Sequence, residues 1–214
     1  MKPRIGIFGG TFDPIHFGHL RCAEEIREQF CLDRVIFVPP YVHPLKQTPN
    51  ATNAAHRFEM AQLAVENNPS FVVSDYEVAR GEISYTVITL DYFRRVFSSA
   101  CIFFIVGADS WLDITHWYEY QRLFELANMI VHSRPGYNAK GPEEVLPPEV
   151  ASRLVYDGEV YCHESGNTLR FASVTDLRIS ATDIRRRLAE GKTARYLLPK
   201  AVLEYIEKYG LYCP

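Results

Sequence analysis

The chain has 214 residues, of which 47% are hydrophobic and 23% charged, and its formal net charge is −3 at pH 7. This composition is typical of a globular protein and excludes a disordered or low-complexity chain, while the slightly acidic balance gives no overall attraction to nucleic acid. Residues 1–8 lack the apolar core of a secretory signal, and the longest apolar run, residues 101–106, is far too short to span a bilayer. We therefore expect a cytoplasmic protein with no membrane and no nucleic-acid partner.

A chain of this length accommodates one α/β domain or at most two small ones. We expect a single domain over residues 1–214, in which residues 180–214 form a helical C-terminal part. The five cysteines are scattered along the chain without a C-x-x-C pair. We therefore expect reduced cysteines that serve in packing, not a metal site or a redox couple.

Apolar runs typical of strands alternate with segments of helical periodicity. The predicted strands are residues 4–8, 34–38, 71–76, 102–106 and 129–132, and the helical segments between them are residues 17–30, 56–66, 85–96 and 118–126. This alternation predicts an α/β fold with a doubly wound parallel sheet, helices on both faces, and ligands at the carboxyl ends of the strands.

The second half of the chain is less regular. Residues 134–148 are rich in Gly and Pro and predict a loop, and residues 154–162 and 169–174 are ambiguous segments that we interpret as short strands. The predicted C-terminal helices are residues 180–190 and 199–209, which Gly191 and Gly210 close.

The segment GGTFDPIHFGH, residues 9–19, follows the first predicted strand and opens the first helix. Free backbone N–H groups and the positive end of the helix dipole attract anions at such a place, and the glycines let a nucleotide approach the backbone. The glycine spacing matches neither G-x-G-x-x-G nor G-x-x-x-x-G-K-[ST], which disfavours hydride-transfer enzymes and P-loop ATPases. We interpret His16, Gly18 and His19 as a phosphate site.

The alternative is that these histidines only cap a helix or pack in the core. A zinc site would need a third and a fourth ligand, and no cluster of Cys or His at suitable spacing supplies them.

A second motif, ISATDIR at residues 179–185, also stands at a predicted helix start. Ser180 is a good N-cap with Asp183 at the N3 position, a variant of the capping box, and capping alone would explain it. The H-x-G-H turn resembles the signature of the nucleotidylyltransferase superfamily and, more distantly, that of class I aminoacyl-tRNA synthetases. The second motif is similar to the element that faces H-x-G-H across the nucleotide in adenylyltransferases.

Further matches extend the resemblance over essentially the whole length, and the chain resembles the bacterial nicotinate-nucleotide adenylyltransferases. The matching segments are residues 84–90 (SYTVITL), 107–110 (GADS), 115–119 (THWYE), 134–136 (RPG), 197–199 (LLP) and 209–212 (YGLY).

The resemblance implies a Rossmann-like fold, ATP and nicotinate mononucleotide as substrates, and Mg²⁺ held mainly by phosphate oxygens, with no protein metal ligands. It implies catalytic roles for His16, His19, Lys46 and Arg185. The ATP-binding residues that it implies are Gly9, Gly10, Thr11, Phe12, His16, Gly18, His19, Gly107, Asp109, Ile179, Ser180 and Arg185. The residues that it implies for the nicotinate nucleotide are Lys46, Thr86, Trp117, Tyr118 and Arg134.

The nicotinate end also has a physical basis in the sequence. A helix that starts at Tyr85 with Ser84 as its cap would present free N–H groups to a carboxylate, and Thr86 would add a hydroxyl donor. Trp117 would offer a flat face to a pyridine ring. The alternative for Tyr85 and Trp117 is a place among the core aromatics.

Asp109 at the end of a strand suits a ribose hydroxyl, with a helix cap as the alternative.

One segment departs from the family pattern. The family usually carries P-x-x-x-P-P-H-[KR] after its second strand, whereas residues 39–46 read PPYVHPLK, with Leu45 in place of the histidine. Lys46 keeps the basic position, for which the resemblance implies a phosphate contact, with a surface lysine as the alternative, and the role of His43 stays open.

The competing functions are phosphopantetheine adenylyltransferase, a tRNA-synthetase fragment and a nucleotide-sensing module without turnover. The sequence leaves the oligomeric state open, a homo-oligomer included.

Overall fold

The computed structural model describes residues 2–44, 52–133 and 140–213. Buried, strand-prone side chains dominate the runs that form the sheet. The strands are β1 (Arg4–Gly9), β2 (Arg34–Val38), β3 (Phe71–Val73), β4 (Cys101–Gly107), β5 (Asn128–His132), β6 (Leu154–Tyr156), β7 (Tyr161–His163) and β8 (Thr168–Ala172).

The helices alternate with the first strands and gather again at the C-terminus. They are α1 (Phe17–Gln29), α2 (Ala54–Val65), α3 (Tyr76–Arg80), α4 (Thr86–Val96), α5 (Ala108–Leu112), α6 (Leu123–Leu126), α7 (Pro142–Val145), α8 (Pro148–Ala151), α9 (Ala181–Ala189) and α10 (Lys200–Tyr209), with 3-10 turns at Ile114–His116 and Tyr120–Arg122.

The strands form one sheet in the order β3-β2-β1-β4-β5-β8-β7-β6. β1 to β5 and β8 pair in parallel, while β7 pairs antiparallel with both β6 and β8. The strand order reverses direction between β1 and β4, which makes this the switch point where a doubly wound sheet opens a crevice for ligands. The predicted fold class is therefore confirmed, with an antiparallel addition at one edge.

Successive side chains along each central strand point to opposite faces of the sheet. They therefore contribute to two hydrophobic cores, one on each face. Phe8 and Phe37 pack with α1, α2 and α10 on one face. Their strand neighbours Ile7 and Ile36 pack with α4, α5 and α6 on the other face. Because both faces are covered, the central strands are almost wholly apolar, which is the pattern that the sequence shows.

Four predicted elements differ from the structure. The strand predicted at residues 71–76 ends at Val73, because Tyr76 already begins α3. The helix predicted at residues 118–126 is a 3-10 turn followed by the four-residue α6, since Glu119 adopts a left-handed φ of 49° that a helix cannot contain.

The predicted loop at 134–148 contains α7, and its last residue begins α8. Each of these helices has a proline in its first turn, where the missing N–H costs no hydrogen bond. Residues 134–139 lie outside the described residues.

The ambiguous segment 154–162 is a hairpin of β6 and β7.

The five cysteines all lie in the described ranges, and none forms a disulfide. Cys22 is buried in the core, as predicted, but Cys31 and Cys213 are exposed and do not serve in packing. Within the described part of the chain, no helix is both long and apolar enough to cross a membrane.

Candidate active site

A cleft of about 1740 Å³ opens at the carboxyl ends of β1, β2, β4 and β5. Residues far apart in sequence come together there because parallel strands end at the same edge of the sheet. The predicted site residues that line it are Gly9, Gly10, Thr11, Phe12, His16, Gly18, His19, Thr86, Gly107, Asp109, Trp117, Tyr118, Ile179, Ser180 and Arg185. The two other predicted residues, Lys46 and Arg134, lie outside the described residues.

His16 and His19 form a stacked pair at the start of α1. Their ring centroids are 3.7 Å apart, and His16 is buried at the N-cap position. The backbone N–H of His16 donates to Nδ1 of His19 over 3.3 Å. Because a backbone N–H can only donate, Nδ1 of His19 is an acceptor here, and a neutral His19 carries its proton on Nε2. In this tautomer Nε2 of His19 is a hydrogen-bond donor, and His19 lines the cleft.

Gly18 makes room for this pair. A Cβ at position 18 would lie 3.0 Å from both Cε1 and Nδ1 of His16, and 3.6 Å from the carbonyl oxygen of Ile179. The glycine between the two histidines thus lets the buried His16 ring lie directly against the first turn of α1. It also lets the second motif approach the same turn.

The second motif meets the first across the cleft. The Oγ of Ser180 accepts a hydrogen bond from the backbone N–H of Asp183, so Ser180 caps α9 as the sequence predicts. Arg185, one turn into α9, donates from Nη1 to the carbonyl oxygen of Asp13 over 2.5 Å and from Nη2 to Oγ1 of Thr182 over 3.3 Å. A cation is therefore held between the two helix starts, where both dipoles attract negative charge.

The opposite end of the cleft is aromatic. Tyr85 is the N-cap of α4, so Thr86 is its first helical residue. The ring of Tyr85 lies 4.7 Å from that of Tyr118, and the ring of Trp117 packs edge-on against Phe104. Tyr85 and Trp117 also pack against the hydrophobic core that contains Ile7 and Ile36. Each of them therefore both lines the cleft and belongs to the core aromatics.

The predicted cap of α4 is wrong. Ser84 does not cap the helix, because its Oγ accepts a hydrogen bond from the backbone N–H of Tyr41 over 3.0 Å. Tyr85 makes no side-chain cap either, so the first turn of α4 has no side-chain cap, and both Tyr85 and Thr86 line the cleft.

Asp109 lies in the first turn of α5, whose N-cap is Gly107. The helix-cap alternative for Asp109 therefore does not apply, and the carboxylate lies at the cleft, at the end of β4. His43 is half-buried and lines the cleft as well, whereas Leu45 and Lys46 lie outside the described residues.

A buried arginine binds the backbone of loops that border the cleft. Arg57 in α2 is 3% exposed and donates to the carbonyl oxygens of Thr11, Thr52, Pro40 and Tyr41. Burial lowers the pKa of its guanidinium, and nearby Asp13 opposes that shift. Arg57 thereby connects the loop after β2 to the turn between β1 and α1, which we name the phosphate turn after its predicted role.

Glu77 is a second buried polar group, and it lines the cleft. Its Oε1 accepts a hydrogen bond from Oγ1 of Thr89, and the Ser84 hydroxyl also contacts it. Burial raises the pKa of this carboxyl. No local signal in the sequence distinguishes Arg57 or Glu77 from a surface charge on an amphipathic helix.

His132 also lines the cleft and was not predicted. It stands at the end of β5, with its ring edge-on to Phe8 at 6.0 Å, and its Nδ1 donates to the carbonyl oxygen of Ser133 over 3.0 Å. Its place at the carboxyl end of a parallel strand was the signal that could have indicated it.

Among the described residues, no group of three or more His, Cys, Asp and Glu side chains is arranged to hold a metal ion. The positively charged and hydrogen-bond-donor groups at the starts of α1 and α9 suit an anionic ligand that binds together with a metal cation of its own.

The fold and this cleft define an α/β nucleotide-binding protein, and the family model described as Cytidylyltransferase-like matches residues 7–187. Two relatives named "Probable nicotinate-nucleotide adenylyltransferase" are similar over 98% of this chain. The relative from Syntrophotalea carbinolica is 41% identical, with 97% of its own length covered. The relative from Thermus thermophilus is 43% identical, with 99% covered. The chain belongs to the nicotinate-nucleotide adenylyltransferase family within the cytidylyltransferase-like proteins.

Solved structures agree in fold. The nicotinic acid mononucleotide adenylyltransferase of Plasmodium falciparum in complex with NaAD superposes with a TM-score of 0.75 and covers 98% of this chain and 97% of its own. Its identity to this chain is 20%, so this likeness supports the architecture alone.

Proposed function

We propose that this protein transfers AMP from ATP to nicotinate mononucleotide and forms nicotinate adenine dinucleotide and pyrophosphate. One observation carries the proposal: the His16–His19 turn, the start of α9 and the aromatic start of α4 line a single cleft. Such a cleft offers phosphate donors at one end and an aromatic, carboxylate-binding end at the other. The names of the family relatives support the same reaction.

In this reaction a phosphate oxygen of nicotinate mononucleotide attacks the α-phosphorus of ATP. A new P–O bond forms, the bond between the α-phosphorus and the bridging oxygen breaks, and pyrophosphate leaves. The attacking phosphate is already an anion at pH 7, so the reaction needs neither a general base nor a covalent enzyme intermediate. Catalysis then depends on alignment and on neutralising the charge that develops on the leaving group.

The residues at the phosphate end suit that task. We assign His16, His19 and Arg185 to the triphosphate, together with Lys46. We also assign Ser180, Ile179, Gly107 and the backbone of residues 9–12, which line the same cleft, to ATP. Mg²⁺ would neutralise phosphate charge when bound, held mainly by the nucleotide's own oxygens.

The other end of the cleft suits the acceptor. We assign the pyridine ring to the face of Trp117, beside Tyr118, and its carboxylate to the N–H groups and hydroxyl at Thr86. Arg134 is assigned to the same nucleotide. We assign Asp109, at the end of β4, to a ribose hydroxyl. The uncapped start of α4 favours an anionic carboxylate over a neutral amide.

The proposal includes a single domain over residues 1–214, which the one continuous sheet supports, and a cytoplasmic location. It leaves open whether the enzyme is a homo-oligomer.

The test is pyrophosphate release with ATP and Mg²⁺ against three acceptors: nicotinate mononucleotide, nicotinamide mononucleotide and phosphopantetheine. We expect rapid release with the first and much slower release with the others. Preference for phosphopantetheine would establish the competing transferase. ATP binding without release in the presence of any acceptor would establish a nucleotide-sensing module.

A further inference from the structure

The C-terminal turn returns to the phosphate end of the cleft. α10 ends at Tyr209, and Gly210 takes a left-handed φ of 59°. The N–H of Leu211 donates to the carbonyl oxygen of Ile206 over 3.0 Å, which closes the helix and reverses the chain. Tyr212 follows with a second left-handed φ of 63°, unusual for a residue with a side chain. The turn thus directs Tyr212 back toward the body of the protein.

The hydroxyl of Tyr212 donates to Oδ1 of Asp13 over 2.6 Å. Asp13 lies in the phosphate turn between β1 and α1 and is 6% exposed. A carboxylate buried to this degree needs hydrogen-bond and charge partners. Burial raises the pKa of the Tyr212 phenol, so it remains a protonated donor under all ordinary conditions.

Asp13 in turn holds Arg185. Its carbonyl oxygen accepts from Nη1 of Arg185 over 2.5 Å, and its Oδ2 lies 3.9 Å from the same nitrogen. Asp13 and Arg185 line the cleft, whereas Tyr212 is not among the residues that line it. A continuous chain of contacts therefore runs from the C-terminal turn, through the phosphate turn, to the cation of the second motif.

We propose that Tyr212 is a positioning residue of the active site: its hydroxyl orients Asp13, and Asp13 aligns Arg185 with the triphosphate. The inference rests on the proposed function, in which Arg185 contacts the triphosphate. It assigns a role in nucleotide alignment to Tyr212, which does not itself line the cleft.

The test is Tyr212→Phe, which removes one hydroxyl and keeps the ring. We expect kcat/KM for ATP to fall roughly tenfold, the size of one lost hydrogen bond in an aligned site, with KM for nicotinate mononucleotide unchanged. The melting temperature, which we expect to fall by no more than a few degrees, shows that the variant is folded. Tyr209→Phe is the matched control, because Tyr209 ends the same helix, is half-exposed, and lies outside this chain of contacts.

A double-mutant cycle with Arg185→Lys separates positioning from a general structural effect. If Tyr212 acts through Arg185, the hydroxyl deletion has less than a twofold effect in the Arg185→Lys background. An equal tenfold loss in both backgrounds, or wild-type kinetics in Tyr212→Phe, would overturn the inference.

Calorimetric titration with ATP alone keeps this test separate from the proposed reaction. We expect weaker ATP binding by Tyr212→Phe than by the wild type, and equal affinity would count against the role of Tyr212. A wild type that binds ATP and releases no pyrophosphate would instead refute the proposed function, while the comparison of ATP affinities would still decide the role of Tyr212.

Discussion

Replacement of Gly18 by alanine tests whether activity depends on the positions of the stacked His16 and His19 rings. The new Cβ would lie 3.0 Å from two atoms of the His16 ring, whereas carbon atoms in good contact are about 3.5–4.0 Å apart. His16 is buried and already stacked on His19 at 3.7 Å. The His16 ring must therefore give way by a few tenths of an ångström, which disturbs its stacking on His19.

The cost to stability is expected to be small. Overpacking costs about 1–3 kcal/mol, and alanine in a helix regains up to about 1 kcal/mol relative to glycine. A net loss of about 0–2 kcal/mol would lower the melting temperature by several degrees in a protein of this size.

The cost to activity is expected to be roughly tenfold, because the shift is a fraction of the misplacement of about 1 Å that lowers the rate of an aligned site on the order of 10²-fold. Pyrophosphate release with ATP, Mg²⁺ and nicotinate mononucleotide measures it.

Arg21→Ala is the matched control for this experiment. Arg21 lies in the same helix, is half-exposed and pairs only with Glu25 among the described residues, and such surface pairs contribute little. We expect it to keep wild-type activity. A folded Gly18→Ala protein with wild-type kcat/KM would refute the argument that the position of His16 matters.

Three further predictions follow from the site. His19→Ala should stay folded and lose turnover on the order of 10²-fold; a fully active variant would remove His19 from the mechanism. The uncapped start of α4 should make kcat/KM higher for nicotinate than for nicotinamide mononucleotide, and the reverse order would refute the carboxylate site. Burial raises the pKa of Glu77, so its ionisation opposes folding, and its contribution to stability is greatest below about pH 4 and declines as pH rises through the raised pKa. Urea denaturation between pH 4 and 8 should therefore show the unfolding free energy of Glu77→Gln rising relative to wild type, and parallel curves would contradict this.

Local patterns in the sequence predicted most of the sheet and the helix starts at which both motifs stand. The strand at residues 34–38 matches β2 to the residue, and Ser180 caps α9, because strand periodicity and helix caps depend on neighbouring residues. Where the backbone departs from the pattern, the prediction fails. Residues 118–126 have helical spacing, yet the left-handed Glu119 divides them.

Long-range contacts explain the remaining differences. Ser84 looks like a helix cap, but the Tyr41 N–H, 43 positions away in the chain, binds its hydroxyl instead. Nothing near Arg57 in the sequence indicates that four backbone carbonyl oxygens surround it, since three of them belong to loops that only the folded chain brings close.

The sequence by itself determined the fold class and the two motifs at the starts of α1 and α9, because each depends on residues within a few positions of one another. Only the tertiary structure decided which side chains support those motifs. Asp13 meets Arg185 across 172 positions and Tyr212 across 199. Contacts at such distances exist only once the sheet has assembled and α10 has packed against it, so no local pattern records them.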